Sequence, residues 1–361
     1  MITFSKSILS FLICSCALAF AETSLVPIKE VEQSGRGKLL SLISGEWIAK
    51  SIYTAAELDI AGYLMEGPKT VQELAKLTQC HEENLYRLLR MLASLGIFHE
   101  KEGRIFLNTA TGELLAKTHP QSLRSLILFY KEEISQSWHQ LSDCIRQGKP
   151  AFDLTHGESI FNYFRAHPKS AAHFNAAIKE KSKAVINACM KAFDFGRFKS
   201  VYDIGGGTGH FMNSLLKTFP HIRGVLYELP EVISDAKTPI VNFERCSLIP
   251  GDFFKTIPTG GDAYILKSVL HDWTDKAALK ILENCYQSMT DQARLIIVEP
   301  LMTSANLKDP AKVMDIYTMA TSGGRERTLL DFKNLLDQAG FCIESTIPTD
   351  TEFYLIEARK K

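Results

Sequence analysis

The spacing of apolar residues changes character along the chain. In Val71-Gln-Glu-Leu-Ala-Lys-Leu and again from Asn84 to Leu95, apolar positions recur every three or four residues. Leu85, Leu88, Leu89, Leu92 and Leu95 form one stripe, the pattern of a helix buried on one side. Thr78 to Glu82 reads as the turn between the two helices, and Gly96 ends the second. Ile97-Phe98 and Ile105-Phe106-Leu107, with Gly103 between them, read as a small hairpin. Helix, turn, helix and hairpin make a winged-helix layout. From Leu123 to Phe195 the pattern stays helical but irregular, broken at Gly157 and His167-Pro168. It predicts a connector whose helices wrap over the next domain.

At Phe198 the rhythm shifts to short apolar runs: Val201-Tyr-Asp-Ile, Gly224-Val-Leu-Tyr-Glu, Ser247-Leu-Ile, Ala263-Tyr-Ile-Leu and Leu295-Ile-Ile-Val. Helical stretches separate most of them, as at 275–289, where Leu279, Ile281, Leu282, Cys285, Tyr286 and Met289 form a stripe. Strands alternating with helices imply a parallel sheet covered on both faces. Phe341-Cys-Ile-Glu-Ser and Tyr354-Leu-Ile-Glu add a closing hairpin. The expected fold class is therefore α/β, with a mostly parallel, Rossmann-like sheet of seven strands over 196–361. An N-terminal all-α winged-helix domain over 22–122 and a helical connector over 123–195 precede it.

Composition narrows the function classes. The 361 residues are 45% hydrophobic and 23% charged, with zero formal net charge. Between Arg36 and Thr118 stand ten Lys/Arg and ten Asp/Glu, so the winged helix lacks the positive footprint of a nucleic-acid reader. Helix-mediated dimerisation is the expected use of that domain. Beyond the leader no apolar tract reaches the roughly 18 residues of a membrane span, and stable membrane insertion is not expected. The start of the chain is different. A lysine at position 6, an apolar run from Ser7 to Phe20 and Ala19-Phe20-Ala21 before Glu22 have the layout of a cleavable secretory signal over 1–21. Of eight cysteines, Cys14 and Cys16 lie in that leader. The other six are scattered without a C-x-x-C pair, so free thiols are expected and no metal centre.

The candidate chemistry gathers at strand ends. Asp203-Ile-Gly-Gly-Gly-Thr-Gly follows the first strand of the sheet and opens a helix. Gly205, Gly207 and Gly209 allow a tight turn and a close approach to a ligand, while His210 breaks the dinucleotide pattern G-x-G-x-x-G. The turn suits a nucleoside without a pyrophosphate, and Asp203 suits the ammonium of an attached amino acid. Glu228, about twenty residues on, is placed for ribose hydroxyls. Asp252 can reach an adenine amine and Phe253 can flank the ring.

His271, in Lys267-Ser-Val-Leu-His-Asp-Trp273, follows the fourth strand beside that site and is the candidate general base. Glu299 ends the fifth strand, and Glu326 lies in Gly-Gly-Arg-Glu-Arg-Thr just ahead of a helix begun by Thr328 with Asp331 three residues on. One or both carboxylates would fix the tautomer of the imidazole and stabilise its protonated form. Alternatively, Glu326 is a surface partner of Arg325 or Arg327. A histidine base suits a phenol, of pKa about 10, better than an aliphatic alcohol.

Taken in order, VYDIGGGTGHF, LYELPEVI, GDFF, ILKSVLHDW, IIVEP and GGRERT resemble the plant-type small-molecule O-methyltransferases. These include caffeate and hydroxyindole enzymes and bacterial relatives. The resemblance runs from about Leu40 to Glu357. It implies a class I methyltransferase using S-adenosyl-L-methionine, a small aromatic hydroxyl acceptor and a homodimer through the winged-helix domain. It also implies cofactor contacts from Leu229, Asp252 and Lys267, with His271 as base between Glu299 and Glu326. The acceptor pocket would include Trp273, Met314, Asp315 and Met319. Two departures stand out: Glu228 where the family usually has Asp, and Tyr317-Thr-Met-Ala-Thr-Ser without the Asn-Pro of many plant members. N-methylation or a reaction without methyl transfer on the same scaffold, or a winged-helix regulator that senses the cofactor, are the competing functions. The leader points to export, whereas a cytosolic cofactor points to the cytoplasm.

Overall fold

The computed structural model describes residues 34–236, 243–303 and 305–361; the leader at 1–21 lies outside them. Of the described residues, 34–47, with the helix Gly35–Ile43, belong to one unit and those from Ile48 to Lys361 to the second.

In the second unit, the helices Val71–Thr78 and Glu82–Ser94 enclose Leu74, Leu85, Leu89 and Leu92, while Leu88 is partly buried and Leu95, beyond the helix end, is exposed. The first helix starts at a capping box, Thr70 and Glu73 each satisfying the other's backbone N–H. The wing has three short strands rather than two. β1 (Lys69–Thr70) pairs with β3 (Ile105–Asn108), which pairs with β2 (Phe98–Lys101).

The connector is a run of short helices ending in a long one, Pro168–Ala192. Proline stands at its first position, where the missing N–H costs nothing. One face of the long helix, at Val185, Ile186 and Cys189, packs into the core of the sheet.

The sheet has seven strands: β4 (Ser200–Ile204), β5 (Arg223–Glu228), β6 (Cys246–Pro250), β7 (Ala263–Lys267), β8 (Arg294–Pro300), β9 (Phe341–Pro348) and β10 (Phe353–Lys360). Their order is β6-β5-β4-β7-β8-β10-β9. The first five are parallel, and β10 runs antiparallel to both neighbours. Ala263 to Leu266 and Leu295 to Val298 are wholly buried, as expected where helices cover both faces. Each such side chain contributes roughly 1.5–3 kcal/mol of burial. The chain leaves β4 in one direction toward β5 and later returns on its other side as β7. The strand order therefore reverses at β4, and the carboxyl ends of β4 and β7 frame the crevice where such sheets take ligands.

Candidate active site

The glycine loop follows β4 as expected, with Gly205, Gly207 and Gly209 at φ of 69°, 58° and 81°. That left-handed region favours glycine. Gly205 has a second requirement: a Cβ there would stand 3.0 Å from Val269 and 3.2 Å from the Phe253 ring. Glu228, at the end of β5, accepts from the N–H of Gly207 at 3.0 Å and of Leu229 at 2.7 Å. Burial raises its pKa, and those two N–H groups oppose the shift. Asp252 accepts from the N–H of Phe254 at 2.9 Å and lies partly open to the cavity.

Asp203 is placed differently from the expectation. It is 1% exposed and sits beneath the loop, where a Cβ on Gly206 would meet its carboxylate at 2.5 Å. It forms no part of the cavity wall. Burial raises its pKa to about 7, against the pull of Lys267. Its Oδ2 has no hydrogen-bond partner. Lys267, at the end of β7, does reach the cavity; burial lowers its pKa while Asp203 and Glu299 raise it. An orphaned buried carboxylate oxygen, a glycine cradle and an acid at each of two further strand ends together fit a nucleoside bearing an amino acid.

The candidate catalytic cluster is built on the segment after β7. Ser268, a non-glycine residue at φ 52°, turns the chain sharply. Glu299 then gathers the next three backbone N–H groups on one oxygen: Val269 at 2.9 Å, Leu270 at 3.0 Å and His271 at 3.4 Å. His271 Nδ1 lies 2.8 Å from Glu326 Oε1 and 3.9 Å from Glu299 Oε2. Its Nε2 is 3.9 Å from Asp272. Burial acts to strip the proton from His271, but Glu299, Asp272 and Glu326 together outweigh it and raise its pKa to about 9. Glu326 is buried, and its arginine neighbours bind Asp275 instead.

Two residues of this scaffold lie in the GGRERT motif, though the sequence reading does not place them in the site. Arg327, wholly enclosed, donates to the carbonyls of Leu270 at 2.7 Å and Trp273 at 2.8 Å, and grips Asp275. Gly324 lies so close to the catalytic segment that a Cβ would stand 2.0 Å from the His271 carbonyl oxygen. Either residue would have read as an ordinary loop position.

His271 opens onto a cavity of about 670 Å³ that also takes in the glycine loop, Glu228, Asp252 and Lys267. Its far walls are aromatic. Trp273 stacks on Phe161 at 5.5 Å between ring centres, and Tyr130 meets Tyr317 edge-on at 5.4 Å. Met314 lines the cavity, but Asp315 and Met319 do not. Asp315 accepts from the Glu326 N–H at 2.8 Å, so it supports the catalytic loop from behind. Met319 packs with Cys144 and Ala151. Five residues beyond Met314 on the helix Pro310–Thr321, it is turned about 140° away.

A glycine loop suited to a nucleoside at the switch point of a mostly parallel sheet, joined to a histidine–carboxylate cluster through one shared cavity, points to an S-adenosylmethionine-dependent methyltransferase of the class I fold. Comparison with known proteins agrees. Residues 138–342 match the O-methyltransferase domain and residues 40–118 the O-methyltransferase dimerisation domain. The chain belongs to the O-methyltransferase family. It is 36% identical to a phenazine O-methyltransferase of Lysobacter antibioticus, over 89% of this chain and 95% of the relative. It is 32% identical to an 8-amino-8-demethylriboflavin N,N-dimethyltransferase of Streptomyces davaonensis, over 92% and 98%. Human N-acetylserotonin methyltransferase, solved with S-adenosylmethionine, superposes with a TM-score of 0.84 at 25% identity, covering 91% of this chain and 99% of that one.

Proposed function

We propose that this methyltransferase acts on a hydroxyl of a small aromatic acceptor, with His271 as general base. The observation that supports it is the seating of His271. Nδ1 is taken by buried Glu326, leaving Nε2 as the nitrogen that can meet an acceptor in the cavity. When bound, S-adenosylmethionine supplies a methyl already activated by its sulfonium. The chain has to hold the acceptor oxygen in line and take its proton. As the acceptor O–C bond forms, the methyl–sulfur bond would break to leave S-adenosylhomocysteine, while Nε2 would take the O–H proton and Glu326 and Glu299 would stabilise the imidazolium.

A base of pKa about 9 takes the proton of a phenol, pKa about 10, nearly without cost. In the ligand-free protein it is already protonated at neutral pH. A bound sulfonium in the same enclosed space repels the imidazolium and lowers that value. Glu228 would hold the ribose hydroxyls, Asp252 the adenine amine with Phe253 against the ring, and Lys267 the amino-acid end. Leu229 completes that wall. Asp203 acts on the amino-acid end through the loop above it.

A homodimer through the N-terminal domain is supported by the dimerisation-domain match and by exposed Leu39, Leu40, Leu42 and Ile43. The N-methylating relative keeps a second reading open, transfer to an amine. A methyl-transfer assay over phenols and aromatic amines separates the two. For phenols His271→Ala should cost about 100- to 10,000-fold, while transfer to an amine driven by proximity would largely survive.

A further inference from the structure

Four cationic side chains line the cavity wall: Arg165, Lys179, Lys181 and Lys267. Three are accounted for. Arg165 donates to Glu231 at 2.7 Å. Lys267 faces Asp203 and Glu299 and lies 3.4 Å from the Ser182 hydroxyl. Lys179 is exposed and acts on His210, beside the glycine loop.

Lys181 differs. It lies on the long helix Pro168–Ala192, on the face that carries Ile178 and Val185 into the same cavity, and it is half-buried. Its ammonium donates to the Met314 sulfur at 4.0 Å. Among the described residues no carboxylate comes within 4.0 Å of it. A thioether is a weak acceptor, so a half-buried ammonium beside an apolar wall keeps donor capacity that an anion in the cavity can take up. Met314 and Lys181 line the same cavity as His271, and Lys181 acts both on Asp272, the neighbour of that histidine, and on Lys267. Asp272 does not supply the missing partner, because its charge is turned to His271 at 3.9 Å.

We propose that Lys181 recognises a carboxylate on the methyl acceptor, so that the preferred acceptors are planar aromatic hydroxy acids. This rests on the reading of the site as an acceptor pocket for hydroxyl methylation. The aromatic walls take the ring faces, the ammonium takes the carboxylate and the hydroxyl is left to His271. A point charge on a flexible stem tolerates some variation in ring size, where a bidentate arginine would not.

The test compares hydroxynaphthoic acid with its methyl ester on wild type and on Lys181→Met and Lys181→Arg. Binding to the S-adenosylhomocysteine complex is measured by calorimetry, alongside kcat/KM. The acid should bind the wild type about tenfold or more tightly than the ester. Lys181→Met should remove that difference while leaving the ester unchanged, and Lys181→Arg should restore part of it. Equal binding of acid and ester to wild type, or equal loss of both in Lys181→Met, would overturn the proposal. So would a weakened affinity of Lys181→Met for S-adenosylhomocysteine, which would assign the ammonium to the cofactor. Binding is read without turnover, so an enzyme that prefers the acid but does not methylate its hydroxyl would refute the O-methylation reading and leave the carboxylate site standing.

Discussion

His271 Nδ1 and Glu326 Oε1 stand 2.8 Å apart, and the carboxylate is 1% exposed. The pair fixes which nitrogen faces the acceptor and also sets how tightly that imidazole holds a proton. With Glu299 and Asp272 adding to the field, the His271 pKa lies near 9. The sulfonium of bound cofactor lowers that value, so kcat/KM for the acceptor should rise with pH, with a midpoint below about 9, and then level off. The neutral imidazole is the active form, so activity falls as pH drops. A profile for a phenolic acceptor with no rising limb toward alkaline pH would refute His271 as the base.

Glu326→Gln keeps the shape of the side chain and removes its charge. Losing one of three carboxylates should lower the pKa of the base, moving the rise in kcat/KM to lower pH. The plateau should fall by about 100-fold or more, because a glutamine can hold the imidazole in the wrong tautomer. Unchanged cofactor affinity by calorimetry would separate this from a folding defect. A profile that keeps its midpoint would show that Glu326 has no electrostatic role.

Arg327 ties the catalytic segment down by donating to the carbonyls of Leu270 and Trp273 on either side of His271. Arg327→Met fills much of the volume but takes a donor from both carbonyls, leaving Leu270 only the Trp273 N–H. It should cost roughly 2–4 kcal/mol of stability, read in thermal unfolding. It should also lower kcat more than KM for the cofactor, since Glu228 and the glycine loop are untouched.

What the sequence made legible follows from physics that acts locally. A fully buried parallel strand must be a short apolar run, and a ligand-approaching turn needs glycine. Both signatures are written in the residues themselves, at β4 to β8 and in the 205–209 loop. Acids at strand ends were readable because topology puts every carboxyl end on one edge. What stayed hidden depends on distant neighbours. Asp203 stands next to the loop in sequence, yet the fold tucks it beneath Gly206. Met319 sits in an apolar stretch whose helical phase relative to the cavity depended on where the helix docks. Arg325 and Arg327 flank Glu326 alike, and only the fold buries one of them and leaves the other half-open.

Glu228 allows a test of the cofactor site apart from the chemistry. Its carboxylate already accepts from two backbone N–H groups, Gly207 and Leu229, which hold it at the cavity wall. Each oxygen retains capacity for a further donor. Two ribose hydroxyls on an ionised carboxylate make charge-assisted bonds, each contributing about 1.5 kcal/mol or more. Glu228→Ala should therefore weaken S-adenosylhomocysteine by about 100-fold, measured by calorimetry. It should also loosen the turn at Gly207, which loses its acceptor. Glu228→Gln retains the neutral bonds and should fall between the two. Glu228→Asp, the residue common in the family, loses one methylene of reach and should cost less than the alanine. If all three bind S-adenosylhomocysteine as wild type does, Glu228 only shapes the loop and the ribose is held elsewhere.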